Sequence, residues 1–120
     1  MKLKLLVLLP VFLLGACVTP PTPLYHWGEY EPMLLKQHQE PDSMAVADKI
    51  ELLNTDIITA QEKGLMIAPG FYAHLGYLYF QVGDIGAGET AFQREKELFP
   101  ESTHFVDGLL ERSRTARGQQ

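Results

Sequence analysis

The sequence has one cysteine, Cys17, which excludes an internal disulfide and any metal or redox site built on a cysteine pair. Its four histidines, His26, His38, His74 and His104, show no His-x-x-x-His spacing and none stands at metal-ligand spacing from a carboxylate, so each reads as a surface or groove residue. There is no Gly-x-Ser-x-Gly elbow and no phosphate loop, and no cofactor motif of any other kind. Positive charge is scarce: 10 Lys and Arg stand against 15 Asp and Glu, for a net charge of −5. A surface of that sign repels phosphate backbones, so no nucleic-acid partner is expected. No long run alternates apolar and polar residues, which excludes an all-β fold. The expectation is a binding module and not an enzyme.

What is present begins at the N-terminus. Met1-Lys2-Leu3-Lys4 is a short basic head, and Leu5 to Leu14 is almost wholly apolar, the layout of a secretory signal. A membrane-spanning helix needs roughly 20 apolar residues, and this run stops at Gly15 and Ala16 with about half that. The next residue is Cys17. Leu14-Gly15-Ala16-Cys17 resembles the lipobox of bacterial lipoproteins, with glycine as an accepted variant before the last small residue. That resemblance implies diacylglycerol on the Cys17 sulfur, cleavage just before it and acylation (palmitate included) of the new terminus. A lone thiol in an oxidising compartment is thereby removed, and two or three acyl chains anchor permanently where one is marginal. Val18 in place of aspartate after the cysteine implies, by enterobacterial sorting rules, the periplasmic face of the outer membrane.

Cleavage after residue 16 removes Lys2 and Lys4 and leaves 104 residues with 8 basic side chains against 15 acidic ones, a net charge of −7. Val18 to Pro23 holds three prolines in six residues and reads as a semi-rigid extended spacer. The expected organisation is a leader over 1–16, the lipidated cysteine and spacer over 17–24, one helical domain over 25–115, and a polar tail over 116–120 that frays. Some 95 residues suffice for one core and not for two.

The domain reads as all-α. From Asp42 to Lys63 the apolar positions Met44, Ala47, Ile50, Leu53, Ile57 and Ala60 recur at helical spacing, with Asp42 or Ser43 as cap and Gly64 as stop. Pro69-Gly70, Gly83-Asp84 and Pro100 divide the rest into helices over Phe71 to Val82, Ile85 to Phe99, and from about Ser102 onward, where Phe105, Val106, Leu109 and Leu110 share a side. Ahead of these, Trp27, Tyr30 and Leu34 are expected on one helix face, with Pro32 in the first turn. Four to five helices result. Glu95, Glu97 and Glu101 alternate with Arg94 and Lys96 as a solvated helix face does.

Read at fixed offsets, Tyr72-x-x-Leu75-Gly76-x-x-Tyr79, Gly83, Gly88-x-x-x-Phe92 and Pro100 resemble the tetratricopeptide repeat, a helix-turn-helix unit of 34 residues. Leu75 and Tyr79 stack on one face, Gly76 admits a close neighbour, and Phe92 is expected to fill the gap between the pair, so Tyr72, Leu75, Tyr79 and Phe92 form the expected core. Gly88 and Glu95 stand where that repeat prefers alanine: the glycine stays small but costs about 1 kcal/mol of helix propensity, and the glutamate predicts looser or rearranged helix packing around it. One repeat cannot bury its own faces, so the flanking helices must stack on it.

Pro69 to Leu78, Glu95 to Ser102 and Tyr25 to Tyr30 together resemble a family of small proteobacterial lipoproteins known only as a domain of unknown function. The resemblance implies a tetratricopeptide-like fold and frequent encoding beside a lipoprotein related to the curli secretion channel; it implies no reaction. The expected role is an adaptor or assembly factor for an envelope complex, with regulation of a cell-wall enzyme or a pilotin-like role in secretion as the alternative. In tetratricopeptide arrays the first helix of each repeat lines the concave face, which here designates Ala73, His74, Tyr77, Phe80 and Gln81 as the partner groove, unless they pack beneath Trp27 and the upstream helix.

Overall fold

A computed structural model describes residues 21–118. The leader, Cys17, residues 18–20 of the spacer and residues 119–120 of the tail lie outside the described residues. The elements in chain order are β1 (Tyr25–His26), α1 (Tyr30–Gln39), α2 (Val46–Lys63), β2 (Met66–Ile67), α3 (Phe71–Gln81), α4 (Ile85–Leu98), a 3-10 turn (Pro100–Ser102) and α5 (Thr103–Gly118). The fold is therefore all-α, with five helices among the described residues. The two short strands pair in parallel, Tyr25 with Met66 and His26 with Ile67, and tie the entry of the chain to the α2–α3 connection. Helix α5 runs into the polar tail as far as Gly118.

The helix ends follow the local punctuation. Gly64 adopts φ +64, and the amides of Gly64 and Leu65 close back on the carbonyls of Ala60 and Gln61, which satisfies the last turn of α2. Gly83, at φ +82, reverses the chain after α3, and the Asp84 side chain accepts the Ala87 amide at 3.0 Å to cap α4. The start of α2 differs from expectation. Ser43 is spent in a turn, its amide donating to Glu40, and the helix begins only after Ala45, with no side-chain cap.

The first helix also departs. Gly28 takes φ +48, a turn that ends any helical path before Tyr30, so Trp27 lies outside α1 and is exposed. Within α1 the buried pair is Tyr30 and Met33, while Leu34 faces solvent. Pro32 does stand in the first turn, where its missing N–H has no helical partner to lose.

The helices α3 and α4 form the central hairpin. Gly76 and Gly88 let their backbones meet: a Cβ on Gly76 would stand 2.9 Å from the Gly88 carbonyl oxygen and 3.1 Å from the Phe92 ring. Leu75 and Phe92 are buried as expected, and Tyr72 and Tyr79 are half-buried. The two buried side chains belong to different cores, however. Leu75 joins Tyr30, Met33, Leu53, Phe71 and Leu78 beneath α1 and α2, whereas Phe92 joins Ala73 and Val106 beneath α5. Phe92 thus fills a gap against Phe80, at 5.3 Å between ring centres, and not one between Leu75 and Tyr79. Helix α3 is the wall shared by both cores, which is why it is apolar nearly all round.

Three charged side chains are buried where periodicity placed none. On α2 the expected positions Leu53 and Ala60 are buried and Met44, Ile50 and Ile57 pack against the same core, while Ala47 is exposed and Lys49 and Asp56 are buried beside the apolar set. On α4, Glu95 is fully buried and not part of a solvated face. Its Oε1 accepts the Gly70 amide at 2.6 Å and the Ser102 hydroxyl at 3.3 Å, and its Oε2 lies 3.4 Å from the Ala73 amide. The N-terminus of α3 has no cap from its own N-cap residue, and this carboxylate, two dozen residues away, takes that place and suits the positive end of the helix dipole.

Candidate functional site

Of the five designated groove residues, three lie together on the surface of α3. His74 is half-buried, Tyr77 is 45% exposed, and exposed Gln81 donates from Nε2 to the Tyr77 hydroxyl at 3.2 Å. The other two turn inward. Ala73 is buried in the second core, and Phe80 lies over Gly88 and against Phe92, because two glycines at the helix crossing leave a space that its ring fills.

The face itself is a trough of about 380 Å³ between α3 and α5. Its floor is Ala73, His74 and Gly70; Tyr30 closes one end, and Tyr77, Phe105 and Leu109 form the walls. Sequence reasoning missed Tyr30, Phe105 and Leu109. The spacing of Phe105 and Leu109, four apart, was a usable signal: α5 buries Val106 and leaves Phe105 57% exposed, so the two lie side by side at the rim. The alternative in which the upstream helix caps this face is met in part. Tyr30 reaches across α3 to Phe71 and His74, but Trp27 does not cover it.

The polar groups of the trough are neutral at pH 7. The Tyr30 hydroxyl lies 3.2 Å from His74 Nδ1. Burial, helped by the charge of Glu95, pushes the Tyr30 phenol up to about 12, and burial, helped by Lys49, lowers the His74 imidazole below its ordinary value. A protonated phenol beside a neutral imidazole offers hydrogen bonds without charge in an otherwise apolar setting. The arrangement suits an apolar side chain of a partner with one polar edge.

A larger recess of about 640 Å³ lies between α2 and α4. Its floor is Tyr72, Leu75 and Tyr79, which at helical spacing are on the far side of α3 from His74 and Tyr77. No aromatic side chain that is mostly exposed lines it, so it offers no anchor comparable with Tyr77 and Phe105.

His26 is buried and not on the surface, with Nε2 3.7 Å from Asp56 Oδ1; His38 and His104 are exposed. Among the described residues no three His, Cys, Asp or Glu side chains gather as a metal site requires, and no helix there is long and apolar enough to cross a membrane. No curated protein and no solved structure matches the chain. The profile of a domain of unknown function, DUF4810, matches residues 24–109, from the residue before β1 to the middle of α5. The chain therefore belongs to the DUF4810 family.

Proposed function

We propose that the chain is a non-enzymatic docking module, lipid-anchored through Cys17 on the periplasmic face of the outer membrane, that holds or assembles other envelope proteins. The carrying observation is the trough between α3 and α5, where Tyr77 and Phe105 stand exposed on rigid helices. Exposed aromatic side chains beside an apolar floor are the usual anchors of protein interfaces. The crossing of Gly76 and Gly88, and the break before α5 at Pro100, support a tetratricopeptide-like reading of the α3–α4 hairpin, an architecture whose use is to present such faces. A lipoprotein related to the curli secretion channel is the first partner to try, on the family resemblance.

The test is crosslinking and co-purification from membranes with wild type, Tyr77→Ala and Phe105→Ala. Both variants should keep the melting temperature near wild type and lower partner capture about tenfold, equivalent to roughly 1.4 kcal/mol. Unchanged capture with both variants refutes the trough as the docking face. Cys17→Ser should lose lipid labelling and membrane association; a Ser variant that is processed and membrane-bound like wild type refutes the anchor.

A further inference from the structure

A buried lysine on α2 has no partner for its charge. Lys49 is 6% exposed, and among the described residues no carboxylate lies within ion-pairing distance of it. The stem is buried while the nitrogen keeps contact with water, as a lysine does when its methylenes cover an apolar surface. The side chain lines a recess of about 460 Å³ between the α1–α2 connection and α3. The same recess is lined by Gln37, whose Oε1 is buried without a hydrogen-bond partner. The amide ends of a glutamine exchange by a half-turn, so this position can present N–H as readily as oxygen. Tyr77 also lines it. Its hydroxyl already accepts from Gln81, which leaves the phenol proton to donate.

We propose that this recess binds a carboxylate monoanion bearing a short aliphatic group, with Lys49, Tyr77 and Gln37 supplying the donors and Val46 and Leu78 the apolar wall. The charge balance selects the class. His74, the other basic group of the recess, is lowered by burial and by Lys49 and is neutral at pH 7, while Asp42 brings a negative charge to the lining. Lys49 is the one positive charge of the lining and Asp42 already a negative one, so an acid with a single negative charge meets less repulsion there than a phosphate dianion would. This site does not rest on the docking reading of the trough: loss of acid binding with partner capture intact, or the reverse, separates the two.

The experiment is an NMR titration of the full chain in detergent micelles, following the Lys49 methylene and Tyr77 ring signals. The probes are N-acetyl-leucine, its amide, hexanoate and inorganic phosphate at matched ionic strength. N-acetyl-leucine should shift both signals saturably, and the amide should bind at least tenfold more weakly. Hexanoate binding alongside it identifies a small free acid as the ligand; N-acetyl-leucine binding alone identifies the C-terminus of a chain. Lys49→Met, which keeps the apolar stem, should abolish the Tyr77 response. If the amide binds as well as the acid, if phosphate produces the same saturable shift, or if neither acid saturates, the proposal is overturned. Should Lys49→Met fail to fold, the comparison of acid and amide on wild type decides.

Discussion

The carboxylate of Asp56 occupies the space that a Cβ on Gly28 would need, and its Oδ2 accepts the Glu29 amide at 2.9 Å. The entry of the chain is thus latched onto the middle of α2 by one acid that only glycine can approach. Asp56→Ala leaves the Glu29 amide and His26 without that partner, at a cost of about 1 to 3 kcal/mol. The Glu29 amide should then exchange much faster by NMR hydrogen exchange while the α3–α4 amides keep their protection. Equal protection at Glu29 in the variant and wild type would show that the strands alone hold the segment.

Glu95 should be worth more than its place in a run of alternating charges implies. Glu95→Ala removes the cap of α3 and leaves the Gly70 amide unsatisfied beside a new cavity, which predicts a loss of about 2 to 4 kcal/mol. Glu95→Gln keeps one acceptor and should lose less. Denaturant titrations of the pair check the order; Glu97→Ala, on the exposed side of the same helix, is the control and should change little.

Alanine at 88 matches the repeat consensus and raises helix propensity by about 1 kcal/mol. It should nevertheless destabilise, by about 1 to 2 kcal/mol net. The added Cβ would stand 2.6 Å from the Phe80 ring and 3.0 Å from the Gly76 carbonyl oxygen. A higher melting temperature for Gly88→Ala would mean that the ring yields freely.

Because the His74 imidazole is lowered in the folded chain, the unfolded chain binds its proton more readily. The stability linked to His74 is fully present above the ordinary histidine value of about 6.5, and is lost as pH falls through that value toward the lower folded one. Urea midpoints at pH 7.5 and 5.5 should therefore drop for wild type, and drop less for His74→Gln. An equal drop in both proteins assigns the dependence to other groups.

The punctuation of this fold was legible and its charge burial was not. Gly64, Gly83 and Pro100 act through their own backbone dihedrals, so the ends of α2, α3 and α4 can be read from neighbours in sequence. The backbone amides that Glu95 and Asp56 hold lie more than 20 residues away, and only the fold brings an uncapped helix start or a positive-φ glycine to them. Periodicity consequently located the apolar face of α2 but not the two charged residues buried beside it, since it treats Lys49 and Asp56 as solvated. The groove was half legible for a related reason. Helical spacing located His74, Tyr77 and Gln81, but the inward turn of Phe80 depends on the space at Gly88, and the Phe105 wall on how α5 packs.

Trp27 is the only tryptophan in the chain, and it stands 46% exposed next to the Gly28 turn, apart from both cores. Fluorescence excited at the indole therefore watches the latch and not the hairpin. The ring is already about half exposed in the native chain, so global unfolding should shift its emission less than that of a core indole, whereas a partner or a membrane surface that covers this corner should shift it to the blue. A melt followed by indole emission and one followed by helical circular dichroism report separate events in this molecule.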